Sequence, residues 1–399
     1  FKRSISIVLR QLKKLLFLVF AFFIKMKNNY LIGLLTILII FIFACSESNG
    51  DDYTPVSPVT VDLTQVPYPK LSDYKFFEGE MKNQKPSLNV LPYEPLSSLF
   101  SDYAHKKRFV WMPPGTKAIY NSDNTTLELP VGAVIIKTFY YDNVQPSNTT
   151  KIIETRLMIR KSSGWIFADY VWNDEQTEAY FDLNGRNIDI SWKDENNVIR
   201  NVNYRVPNEV QCNVCHKYKE TIDGEYIEKH VPIGIKPQNL NSDYTYGTQT
   251  KNQLLKWVEQ GYLENNFNLP NETNTVVDYN DASKPLEKRV RSYLDINCAH
   301  CHNTNGHCDY RPMRFPFGET GGVNGHTNMG VCVPTEDMQD FPPTLNTIIK
   351  PGSSDKSMLF YRINTTNEYF RMPLHGRSLI HDEGVALMAQ WISSLTDCL

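Results

Sequence analysis

Cys298-Ala299-His300-Cys301-His302, at the end of the helical pattern Pro285–Ile296, is the stretch on which the fold turns, and Cys212-Asn213-Val214-Cys215-His216 precedes it with the same spacing. Both read C-x-x-C-H. On a helical turn, thiols at i and i+3 share a face, so each can add to one vinyl group of a single porphyrin. The residue at i+4 then points its imidazole at the iron. At this chain's Cys and His frequencies, one such pentad arises by chance in on the order of a few chains per thousand, which makes two by accident very rare. Zinc held by a Cys2His set and a redox-active C-x-x-C disulfide are the alternatives. Zinc would need a fourth ligand for each cluster. The sequence therefore predicts two covalently attached haem c groups, held through Cys212, Cys215, Cys298 and Cys301, with His216 and His302 as the proximal axial ligands.

The distal ligands follow less directly. Arg371-Met372-Pro373-Leu374-His375-Gly376 lies just before the final helical pattern, where a single-haem cytochrome domain carries a Met-Pro loop, so Met372 is the expected distal ligand of the second haem and Met329 the runner-up. No Met occurs between His216 and Met313. His230 is the local candidate for the first haem. Met112, Met158 or His105, or no ligand at all, are the other options, and an open iron would admit small-molecule chemistry. Cys308 and Cys332 bracket a Gly-rich insertion, Gly318 to Gly330, and are the expected disulfide, with Cys398 left unpaired.

Upstream, residues 71–207 alternate with period two. Gly132-Ala133-Val134-Ile135-Ile136-Lys137-Thr138-Phe139-Tyr140-Tyr141 and Gly164-Trp165-Ile166-Phe167-Ala168-Asp169-Tyr170-Val171-Trp172 set β-branched and aromatic residues against polar ones, with turn signals between runs. An antiparallel sandwich or half-barrel is expected there. After Pro207 the texture changes: Asn252–Glu259, Pro285–Ile296 and Asp382–Leu395 read as helices, the last with Val385, Leu387, Met388, Trp391, Ile392 and Leu395 mostly on one face. The whole chain has 399 residues, 41% hydrophobic and 12% aromatic, with a net charge of −3 from interspersed charges, which offers no basic face for nucleic acid.

The N-terminus reads as targeting sequence. The apolar run Leu31 to Ala44 is short for a spanning helix and ends in Ile42-Phe43-Ala44-Cys45, a lipobox in which Cys45 takes the lipid. Residues 1–25 read as upstream read-in, 26–45 as a lipoprotein signal peptide and 46–70 as a flexible, Pro-rich tether. Ser46 after the lipidated Cys45 points to the outer membrane, with the chain on its periplasmic or surface face.

The chain also resembles a bacterial family of diheme c-type cytochromes that join a β-rich N-terminal domain to two haem modules. The resemblance covers most of residues 90–395. It rests on Leu96-Ser97-Ser98-Leu99-Phe100-Ser101-Asp102-Tyr103-Ala104, Glu154-Thr155-Arg156-Leu157, Tyr170-Val171-Trp172-Asn173-Asp174-Glu175-Gln176-Thr177, Tyr293-Leu294-Asp295-Ile296-Asn297 with the pentad that follows, and Met372-Pro373. At Ile363 related sequences often carry Met, so a thioether is lost from that site here. The resemblance implies an exported protein, often a lipoprotein. The expected fold class is α+β multidomain: an antiparallel β-sandwich-like N-terminal domain over 71–207, then mainly α cytochrome c-type haem modules over 208–280 and 281–399. The expected role is electron transfer between redox protein partners in the cell envelope. A diheme peroxidase-like enzyme with one open iron, or a cytochrome subunit of a larger dehydrogenase, is the alternative.

Overall fold

A computed structural model describes residues 55–398. Cys45, the signal peptide and the upstream read-in lie outside the described residues. From Ser57 onward the chain forms one compact unit. Among the described residues, no helix is long and apolar enough to cross a membrane.

The period-two stretch forms one eight-stranded antiparallel sheet. Its path runs β1 (Leu91–Pro92), β2 (His105–Trp111), β3 (Val134–Val144), β4 (Thr149–Lys161), β5 (Gly164–Trp172) and β6 (Ala179–Phe181). A hairpin, β7 (Arg186–Lys193) and β8 (Ile199–Val206), joins it through the single pair Val144↔Trp192. The α+β class stands: antiparallel sheet first, helices later.

Alternation gives the sheet two faces, and both are covered. Phe109, Ile136, Leu157, Tyr170 and Trp172 face one way, onto Val66, Tyr68, Leu71, Tyr74 and Phe76. Val66 and Tyr68, expected in the tether, therefore join the core as apolar anchors between the prolines. On the opposite face, Phe139, Tyr141 and Val171 pack under Ile190, Trp192 and Tyr204 of the β7–β8 hairpin, so sandwich-like packing is confined to that end. Further along, Ile135, Met158 and Phe167 pack with Leu240, Leu254 and Trp257, so the sheet and residues 208–280 share one apolar cluster.

Beyond the sheet, the segment expected to be mainly α is mixed. It holds α1 (Glu209–His216) and α2 (Gln253–Glu259), but also two hairpins, β9 (Lys217–Ile222) with β10 (Glu225–His230), and β11 (Asp243–Tyr246) with β12 (Gln249–Asn252). The first turns at Asp223-Gly224, where both residues have positive φ, the geometry that Asp-Gly favours between hairpin strands. Downstream come α3 (Leu286–Asn297), α4 (Met358–Ile363) and α5 (Asp382–Ser394). Val290, Tyr293, Leu294 and Ile296 of α3 meet Leu387, Met388, Trp391 and Ile392 of α5 in a separate core.

The disulfide differs from the expected one. Cys332 is bonded to Cys398, with Cα atoms 5.6 Å apart, and Cys308 is free and buried. The physical reason is the path of the chain. The Cys332 amide donates to the Ile349 carbonyl, and the Gly352 amide to that of Ile392, which brings the end of α5 back beside Cys332. Meanwhile the Cys308 amide donates to the Cys301 carbonyl, which ties Cys308 to the motif turn. The bond spans 66 residues of sequence. Closing a loop of that size stabilises by about 4 kcal/mol in the chain-entropy description. Cys398→Ser is expected to cost about that much in urea unfolding under non-reducing conditions, whereas Cys308→Ser leaves the disulfide intact.

Candidate functional site

The first motif sits on α1, which a reciprocal cap opens. The Gln211 amide donates to Asn208 Oδ1 at 3.0 Å, and the Asn208 amide donates to Gln211 Oε1 at 3.0 Å. Cys212 and Cys215 then share a helix face, with His216 ending the turn. His216 Nδ1 lies 2.7 Å from the Val231 carbonyl oxygen. With Nδ1 donating there, Nε2 keeps a free lone pair. Burial lowers the His216 pKa to about 4, so the ring is neutral at neutral pH. The second motif continues from the end of α3. The Cys301 and His302 amides donate to the Cys298 carbonyl at 3.1 and 3.0 Å, which holds the pentad in a helical turn. Burial lowers His302 to about 4 as well, and its Nδ1 is buried without a hydrogen-bond partner. Burial pushes Cys212 and Cys298 up to about 12, keeping both as thiols.

The two turns meet. Cys301 Sγ is 3.8 Å from the Val214 carbonyl oxygen. A hydrogen bond between Cys215 and Cys301 draws the Cys215 pKa down and pushes the Cys301 pKa up, with His300 adding to the first effect.

Each motif opens onto a cavity. One of about 440 Å³ is lined by Cys298, Cys301, His302, Met313, Phe341 and Met372. Another of about 570 Å³ is lined by Cys212, Cys215, His216, Met158, Phe167 and Asp169. A third of about 140 Å³ adjoins both, and Cys215 and His375 line all three. The larger two have the size of small-molecule and cofactor sites. A neutral imidazole with a free Nε2, beside two thiols at i and i+3 and a cavity lined by both apolar and basic side chains (Met158 and Phe167, Arg156 and Arg205), is what covalent haem attachment needs. Among the described residues, no group of three or more His, Cys, Asp or Glu side chains is placed to hold a bare metal ion.

The expected distal ligands fare differently. Met372 lines the cavity of His302. Met329 is fully buried in the core between α3 and α5. His230 is not among the side chains lining the cavities onto which His216 opens. It pairs with Lys217 across the β9–β10 hairpin, sets its ring 4.7 Å from that of Phe167 at a tilt of 46°, and points Nδ1 at the Trp165 carbonyl oxygen, 3.1 Å away. His105 is exposed at the start of β2, and Met112 is fully buried in the cluster under α2. Met158 does line both cavities of His216, and so does His375, which sequence reading passed over although it stands three residues after Met372.

Beside the first motif lies a buried charge cluster that the sequence reading missed. The signal was the register of the strands, which sets Arg156 opposite both Lys137 and Asp169. Glu154 accepts hydrogen bonds from Arg156 and Tyr204. Burial raises its pKa, but Arg156 and these hydrogen bonds outweigh that and hold it below the ordinary value. Asp169 is raised well above its ordinary value by burial and then by Glu154, which makes it the protonated member of the pair. Glu154→Gln removes the counter-charge of a buried guanidinium and is expected to cost about 3–5 kcal/mol in chemical denaturation. Asp169→Asn replaces a neutral acid by its neutral isostere and is expected to change stability little.

No family model matches the chain, and neither the curated proteins nor the solved structures give a match.

Proposed function

We propose that this chain is an exported diheme c-type cytochrome lipoprotein that carries electrons between redox partners in the cell envelope. The observation that supports it most is the meeting of the two C-x-x-C-H turns, Cys301 Sγ against the Val214 carbonyl oxygen at 3.8 Å, with Cys215 and His375 lining both motifs' cavities. Attachment points this close suit one-electron transfer from one site to the other. When bound, haem c supplies an Fe(III)/Fe(II) couple. Cys212 and Cys215 hold one group and Cys298 and Cys301 the other, His216 and His302 each offer a neutral nitrogen, and Met372 faces His302's cavity. Cys45 anchors the chain by lipid, at the outer membrane.

A second reading has one observation in its favour. His230, the local candidate for the first distal ligand, turns to the sheet, so an open iron at Cys212–Cys215 would make a diheme peroxidase-like enzyme. The test is the visible spectrum of the fully reduced protein before and after carbon monoxide. The carrier reading expects no change, because both irons are six-coordinate. A shift in about half of the haem absorbance would contradict it and favour the peroxidase.

A further inference from the structure

One transverse row of the sheet is chemically unusual. Arg108 on β2 stands opposite Lys137 on β3, and Lys137 opposite Arg156 on β4. These three cations point to the same face, and all three line the 140 Å³ cavity together with Cys215 and His216. A row of like charges beside a cavity costs free energy unless anions answer it. Two of the cations are answered. Arg108 donates to Glu94 and to Ser98, each at 2.6 Å, and Arg156 is bound to Glu154. Lys137 is not. Among the described residues no carboxylate stands within ion-pair distance of its ammonium, which instead lies 5.1 Å from the centroid of the Phe139 ring. Burial first, then Arg108, Lys106 and Arg156, hold the Lys137 pKa well below its ordinary value, so its charged form needs an added anion to be favoured. The cavity wall thus holds, beside the imidazole of the first motif, one amine that no carboxylate faces among the described residues.

We infer, resting on the diheme reading, that Arg108, Lys137 and Arg156 form an anion cradle for the propionate carboxylates of the group attached at Cys212 and Cys215. The β-rich region then has a role of its own, since its sheet supplies one wall of the first haem site and the charge that sets the site's potential. A cation held near an iron favours the reduced, less positive state, so removing it lowers the reduction potential.

The experiment is a spectroelectrochemical titration of the holoprotein, as wild type, Lys137→Met and Lys137→Arg, with haem content counted first. Lys137→Met is expected to lower the potential of one haem and leave the other where it was, while Lys137→Arg, which keeps the charge, stays close to wild type. Two haems with unshifted potentials in Lys137→Met would overturn the cradle while leaving the cytochrome reading intact. A ligand-field spectrum changed alike in Lys137→Met and Lys137→Arg would also overturn it, since that would make Lys137 an axial ligand. A wild-type protein without haem would instead defeat the reading on which the cradle rests.

Discussion

Cys298→Ala combined with Cys301→Ala is expected to reduce covalently bound haem from two per chain to one and to loosen the C-terminal core. Both thiols line the 440 Å³ cavity, and Cys298 packs at the edge of the cluster built by Leu294, Ile296, Leu387 and Trp391. Losing the group that fills it leaves the apolar part of that lining, Met313, Phe315, Phe341 and Ile348, without packing partners, which destabilises the core. A domain has about 5–15 kcal/mol in total, so residues 281–398 should become protease-sensitive. Pyridine haemochrome per mole of protein and limited proteolysis read the two effects. Two haems remaining in the double variant would mean that these cysteines do not attach one. Cys308→Ser is the control and should retain both haems, because Cys308 belongs to neither C-x-x-C-H turn.

The second large effect concerns Met372. A thioether ligand raises the potential of a haem relative to a second imidazole or water. Met372→Ala is expected to lower the potential of one haem by roughly 0.2 V, within the roughly 0.8 V that axial ligands span. The oxidised protein should also lose its far-red sulfur-to-iron charge-transfer absorption. Met329→Leu is the matched comparison. Met329 is fully buried in the α3–α5 core, so this swap should leave the spectrum alone and cost less than about 1.5 kcal/mol. If instead the absorption survives Met372→Ala and vanishes in Met329→Leu, Met329 is the ligand.

The chemistry-bearing residues were the most legible part of this sequence, because each motif is local. Five consecutive residues carry both thiols and the imidazole, and the helical turn that aligns them needs nothing distant. The helices at 253–259, 286–297 and 382–394 were also legible to within a residue or so, since caps and apolar stripes are local signals. Features that depend on distant chain segments were not. Cys332 pairs with Cys398 only because the chain after α5 returns past residues 349–352, which no spacing rule contains. His230 is the nearest histidine after the first motif, and the hairpin β9–β10, which the sequence reading did not include, carries it onto Phe167, the ring that also packs against His216. That hairpin had a readable signal in Asp223-Gly224. The cation row was readable only through pairing, because Arg108, Lys137 and Arg156 look like ordinary alternating polar positions until the register sets them side by side.

Whether four cysteines hold two haems covalently is tested most directly by the intact mass of the purified protein under denaturing conditions. The protein should be produced in a host that matures c-type cytochromes. The expected result is the polypeptide mass plus two haems, with Cys212, Cys215, Cys298 and Cys301 all inaccessible to alkylation. A mass without haem, with those four cysteines alkylated after reduction, would contradict it.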